Sequence, residues 1–234
     1  MRLNLKLIAM CFSLALFSCS TDNGNNNGGG NNGGLNPTAV YRITFTGDFT
    51  ANSHPTDYPN NASFEGMFIM AHSNASSLFS VGQLASDGLE LYVEEGDNSL
   101  LTTEHTPVMD NDPTTIIVNG NDIGPTGTDV VQITITPETT YLSIVSKITP
   151  SPDWFVGIDG FNLANPDNSL VEDVTISLAP IDAGTDSGTT YESPDMEDSS
   201  FIALFSGPPF ADPNPPSVIE RMGTIRIQRI DITE

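Results

Sequence analysis

YRITFTGDF, residues 41–49, alternates Tyr41, Ile43 and Phe45 with Arg42, Thr44 and Thr46, the period of two that sends successive side chains to opposite faces of a β-strand. The alternation returns at Val131, Ile133 and Ile135, at Leu142, Ile144 and Ile148, and at Val174, Ile176 and Leu178, which predicts further half-buried strands. Met67 to Ala71 and Trp154 to Ile158 are apolar throughout, as expected of central strands covered on both faces. Near the C-terminus Ile225 and Ile227 share one phase and Ile230 and Ile232 the other, a slip around Gln228 and Arg229 that a β-bulge would produce. Turn-rich stretches at 110–114, 119–129, 164–169 and 206–217 separate these segments. A helix is expected only within 77–95, where Gly82 and Gly88 weaken the signal. The pattern predicts an all-β antiparallel β-sandwich of about eight strands, in a single domain over residues 39–234.

Upstream of that domain, Arg2 and Lys6 precede an eleven-residue apolar run, Leu7 to Phe17, the charged and hydrophobic regions of an export signal. As a helix this run rises about 16 Å, roughly half the hydrocarbon core, so a transmembrane span is not expected. Leu16, Phe17, Ser18 and Cys19 resemble a bacterial lipobox, with Cys19 as the residue to be lipidated after cleavage of residues 1–19. Residues 20–38 are dominated by Asn and Gly through position 34, too polar and flexible to pack, and are expected to act as a tether. The only other cysteine, Cys11, lies inside the signal, so no disulfide is expected in the domain despite an oxidising destination.

Two of the seven Lys and Arg residues belong to the signal, which leaves five bases against thirty acids. A surface of that sign repels nucleic acid and anionic lipid, so neither is expected as a direct partner, and it favours cations. Membrane contact is expected through the lipid anchor only.

Three segments carry a family resemblance: YRITFTGDF at 41–49, SPDWFVGID at 151–159 and DAGTDSG at 182–188. Together with AHS at 71–73, SP at 193–194 and the closing IRIQRI strand, they resemble the spondin domain of F-spondin and mindin over residues 41 to about 230. The resemblance implies a sandwich of about eight strands, related in shape to calcium-dependent membrane-targeting modules, with a divalent cation at one end. It also implies service in matrix attachment, cell adhesion or recognition of microbial surface molecules. Departures limit the transfer. Ala164 stands where a domain-bridging Cys of the family would follow the FNL segment, so partner specificity does not carry over.

Calcium takes six to eight oxygen ligands, usually several carboxylates completed by carbonyls and water. DAGTDSG supplies Asp182 and Asp186 in a loop whose Gly184 and Gly188 allow tight curvature, and Asp153 stands just before the apolar run at 154–158. These three aspartates are the expected metal ligands, with Ca2+ as the cofactor. Without the resemblance, aspartates in such a loop are commonly turn formers bonding their own backbone. Asp159 is about 20 Å along an extended strand from Asp153, too far to share an ion, and is expected to cap a turn with Gly160. The family adds a carboxylate from the strand before SPDWFVG, where this chain is expected to offer Gln132, Thr134 and Thr136. Trp154 and Phe155 read as core rather than as a sugar-stacking platform.

Enzyme readings are weaker. DSG at 186–188 resembles an aspartic-protease motif, but a monomer needs two copies and one exists. His54, His72 and His105 are scattered without HExxH or paired Cys, and no GxSxG is present. His72 reads as a buried, hydrogen-bonded structural residue. The acidic runs at 94–97 and 195–198 read as solvated loops. The expectation is a non-enzymatic, calcium-binding adhesion or recognition module for a protein or glycan ligand, tethered to the cell envelope. The alternatives are a structural subunit of an envelope assembly with a vestigial site and, third, a hydrolase.

Overall fold

The computed structural model describes residues 38–73, 77–106, 115–205, 207–210 and 220–230. The expected signal, Cys19, nearly all of the tether, the turn-rich stretch 110–114, most of 206–217 and Ile232 lie outside the described residues. One compact unit spans Gly34–Glu234. Two antiparallel sheets make a sandwich.

In the first sheet β1 (Ala39–Gly47) lies between β5 (Thr128–Ile135) and β11 (Gly223–Arg229), and β8 (Asp173–Leu178) closes the far edge. Tyr41 pairs with Ile133 and Arg229, and Phe45 with Asp129 and Ile225. The alternation read from the sequence is the burial pattern of β1, with Ala39, Tyr41, Ile43 and Phe45 facing inward and nearly inaccessible. The second sheet runs β10 (Ala203–Leu204), β9 (Pro180–Asp182), β7 (Trp154–Asn162), β6 (Tyr141–Thr149), β3 (Phe68–His72), β4 (Ile116–Asn119), with β2 (Ser63–Phe64) paired to β6. Three of the strands hold only two or three residues, which is why the count exceeds the eight expected.

The inner faces meet in a core that includes Ile43, Phe45, Phe64, Ile69, Ile144 and Trp154. A second core on the outer face of the larger sheet holds Phe68, Met70, Val145 and Phe155 under α1 (Asp87–Glu95) and α2 (Ser99–His105). This double cover explains the continuous apolar runs of β3 and β7. It also corrects the reading of β6 as half-buried: seven of its nine residues are buried, and its polar side chains find partners inside, Lys147 at the Val93 carbonyl of α1, Ser146 at the Glu65 carbonyl and Ser143 at His72 and Asp159.

Other expectations shift in detail. The helix expected within 77–95 begins at Asp87, with the Ser86 hydroxyl accepting from the Leu89 N–H as N-cap. Gly82 sits outside it with φ +87°. Gly88 is needed where the helices touch, since a Cβ there would stand 2.7 Å from the Leu101 Cα. Helix α2 was not anticipated. The phase slip near Gln228 is no bulge: β11 pairs regularly to Arg229, and the Ile230 N–H then bonds the Val40 carbonyl as the chain leaves the sheet. A bulge occurs instead in β7, where Asp159 and Gly160, between Ile158 and Phe161, stand opposite the single residue Ser143 between Ile144 and Leu142 of β6, with Gly160 at φ +62°.

Candidate metal centre

Strand pairing brings the sequence-predicted aspartates to one end of the larger sheet. Trp154 opens β7 and pairs with Asp182, which closes β9, so Asp153 and the DAGTDSG loop leave adjacent strands at the same edge. The turn into β7 is built by Ser151, whose hydroxyl donates to the Ile148 carbonyl at 2.6 Å and accepts from the Trp154 N–H at 3.1 Å. Beyond β9 the loop is clamped by residues 196–200. Ser200 N–H bonds the Gly184 carbonyl at 2.8 Å, Asp198 N–H the Thr185 carbonyl at 2.7 Å, and Ser187 N–H the Met196 carbonyl at 2.9 Å.

Asp153 lies beneath this loop with no exposed surface. Its Oδ2 accepts from the Thr185 N–H at 2.8 Å and the Asp186 N–H at 3.2 Å, while Oδ1 is buried without a partner among the described residues. Burial pushes its carboxyl up to about 6, reinforced by the charge of Asp182 and opposed by the two backbone donors. Asp182 Oδ1 accepts from the Gly184 N–H at 2.8 Å, and burial, with Asp198 and Asp186 nearby, raises its carboxyl too. Asp186 Oδ1 accepts from the Gly188 N–H at 2.6 Å and Oδ2 from the Met196 N–H at 3.3 Å. Each loop aspartate thus organises its own turn, the commonplace role such residues have. Gly184 adopts φ +74°, and a Cβ there would stand 2.5 Å from the Ser200 carbonyl oxygen. Only glycine fits.

Two groups escaped the sequence reading because they come from distant elements. Lys147 on β6 is 5% exposed; its ammonium donates to the Val93 carbonyl and, at 3.1 Å, to the Ser151 carbonyl. Burial pulls its pKa down to about 8, against the opposing charges of Glu65, Asp153, Glu94 and Glu95. Glu94, in the last turn of α1, is hydrogen-bonded to the Thr185 side chain, and its carboxyl is raised by burial and by Glu90, Asp186 and Asp195. Gln132, Thr134 and Thr136 are not at this end. Gln132 and Thr134 belong to β5 in the other sheet, and Thr136 immediately follows it, whereas the strand before SPDWFVG is β6, which brings Lys147. A cleft of about 270 Å³, lined by Trp154, Asp182, Asp186, Asp198, Phe201 and Phe205 among others, opens over the loop. Among the described residues, no three or more His, Cys, Asp or Glu side chains stand close enough to hold a metal ion.

Asp159 does not cap a turn. Within the β7 bulge it accepts from the Ser143 hydroxyl at 2.8 Å, the Ser77 hydroxyl at 2.7 Å and the Leu78 N–H at 2.8 Å, tying the 77–79 segment to the sheet. His72 is buried and structural as expected, with Nε2 2.7 Å from the Ser143 hydroxyl and Nδ1 2.6 Å from the Ser73 carbonyl. Trp154 is core, as expected.

Fold and site define an acidic two-sheet β-sandwich domain with a fully buried carboxylate beneath the loops at one end. The chain belongs to the spondin N-terminal domain family: the Spondin_N family model matches residues 39–203. It is 34% identical over 165 residues to Spondin-2 of Rattus norvegicus and 33% identical over 163 residues to Spondin-2 of Homo sapiens, in both cases over 68% of this chain. It is 31% identical over 209 residues, 82% of this chain, to Spondin-1 of Rattus norvegicus. The matched region is 50% and 49% of the two Spondin-2 chains and 25% of Spondin-1, so the chain spans half or less of these relatives. No helix among the described residues is long and apolar enough to cross a membrane.

Proposed function

We propose that this domain is a non-enzymatic extracellular adhesion or recognition module whose loop end is ordered by a calcium ion held by Asp153, Asp182 and Asp186. One observation carries the reading: Asp153 buries an oxygen with no partner, at a sheet edge where Asp182 and Asp186 add like charge. A carboxylate so placed is destabilised unless protonated or paired with a cation. Lys147 supplies part of that compensation but spends its hydrogen bonds on the Val93 and Ser151 carbonyls. The donor set is all oxygen, which suits a hard cation. Such an ion, when bound, supplies charge neutralisation and an acceptor for an anionic group of a protein or glycan partner. Display would come from a lipid on Cys19 and the 20–38 tether, placing the module on the bacterial cell envelope.

The test is thermal unfolding in calcium and in chelator. An ion at a hundredfold its Kd contributes about 2.7 kcal/mol, a rise of roughly 5–10 °C in Tm for a domain of this size. Equal melting temperatures would count against a structural ion. A second reading, a structural subunit of an envelope assembly with a vestigial site, draws on the lack of any preassembled three-carboxylate cluster among the described residues. Capture of partners from solubilised envelope separates the two, since capture indifferent to Asp182→Ala supports the assembly.

A further inference from the structure

A second cleft, also of about 270 Å³, lies between the segments 57–60 and 190–192 and is lined by Asp57, Tyr58, Pro59, Asn60, Thr190, Tyr191 and Glu192. None of its lining side chains is basic. Asp57 and Glu192 are exposed, and neither carboxylate makes a hydrogen bond or ion pair with the described residues, unlike the loop aspartates of the other site. Between them sits Tyr191, 4% exposed, whose ring packs edge-on against Trp154 at 5.3 Å and Phe210 at 5.8 Å. Its hydroxyl is buried with no partner among the described residues, and the Asp57 carboxylate is the charged group whose field reaches it. The phenol therefore lies at the wall of this cleft. A buried hydroxyl without a partner costs about 1–3 kcal/mol.

We propose that this cleft receives the basic side chain of a partner polypeptide, a lysine or arginine. Its N–H donors would meet three idle acceptors, the Tyr191 oxygen and the carboxylates of Asp57 and Glu192, while its methylene stem lies along Tyr58 and Pro59. The cleft is large for a dehydrated metal ion, and a protonated phenol is a poor metal ligand, so an organic cation fits better. The Tyr191 hydroxyl is buried behind the cleft wall, so the cation meets the two carboxylates first and reaches the phenol on local opening of that wall. The 57–60 turn carries Asp57 at φ +50° and is held by the Tyr58 hydroxyl on the Phe49 carbonyl at 3.0 Å. The surrounding excess of acid steers such a partner toward the surface.

The test is an amide-resolved NMR titration of the full chain with N-acetyl-lysine methylamide and N-acetyl-arginine methylamide, with the glutamine analogue as control. It is run in calcium and in chelator, so that failure of the metal reading shows separately in the melting curves. The expected result is saturable shifts confined to 57–60 and 190–192 for the two cationic probes. Affinity should fall at least tenfold in Asp57→Asn/Glu192→Gln and about three- to tenfold in Tyr191→Phe, with no loss of Tm in the latter. Equal shifts from the glutamine probe, shifts spread over the acidic surface without saturation, or unchanged affinity in either variant would overturn the proposal.

Discussion

Asp153 concentrates the electrostatic cost of the loop end in one side chain, and its titration gives the direction of the pH response. Its carboxyl lies near 6 in the folded chain against 3.8 as the ordinary value, so the folded state holds the proton more tightly than the unfolded one. The resulting stabilisation is present at acid pH and is lost as pH rises through about 6, by at most about 3 kcal/mol for a shift of two units. In chelator the parent should therefore lose stability in thermal melts relative to Asp153→Asn between pH 5.5 and 7.5, since the variant keeps an oxygen for the Thr185 and Asp186 N–H groups but has no carboxyl to titrate. The same variant should be more stable than the parent at pH 7.5 without calcium, by about 1–2 kcal/mol, and should lose any calcium-induced rise in Tm. Lys147 has the opposite role. Lys147→Met strands the Val93 and Ser151 carbonyls and removes the cation facing Glu65, Asp153, Glu94 and Glu95, with an expected loss of about 3 kcal/mol in denaturant unfolding.

The loop after β9 is a wound element rather than a slack connection, because the 196–200 segment hydrogen-bonds along it. Gly184→Ala meets both a left-handed φ and the Ser200 carbonyl, and should cost about 3 kcal/mol by unfolding titration. At the other end of β7, Asp159→Ala leaves the Leu78 N–H and the Ser77 and Ser143 hydroxyls without their acceptor, and hydrogen exchange should show the 77–79 segment opening before the sheet does. The strands of the smaller sheet were legible because one face meets the core and the other meets solvent, which writes period two into the residues. The larger sheet hid its second covered face, since Ser143, Ser146 and Lys147 look like solvent-facing residues until the Asp159 network, the Glu65 carbonyl and α1 supply their partners. Helix α2 has seven residues with Leu101 alone buried, too short for a helical period to emerge. The Ile230 phase change recorded a strand leaving its sheet, which a sequence cannot distinguish from an inserted residue. At the candidate site, the meeting of Asp153, Asp182 and Asp186 at one end of the sheet was legible through the family resemblance of SPDWFVGID and DAGTDSG. Glu94 and Lys147 were not, as only tertiary folding carries them there.

At the scale of the whole molecule, a formal net charge of −23 means that the compact state works against its own repulsion. Screening by salt should relieve this, so Tm in chelator should rise by several degrees between 10 mM and 500 mM sodium chloride, and calcium at fixed ionic strength should add to that rise only if a specific site exists. The sandwich separates its two candidate sites by a single side chain. Trp154, the sole tryptophan, follows Asp153 directly and packs on Tyr191 at 5.3 Å and on Phe205 and Phe210, each at 5.2 Å. One indole therefore borders both the acidic loop and the tyrosine of the second cleft. Its emission gives the molecule an intrinsic optical gauge: spectra taken through a titration of either ligand come from one known chromophore, and a change in brightness or colour reads directly as rearrangement at the junction between the two.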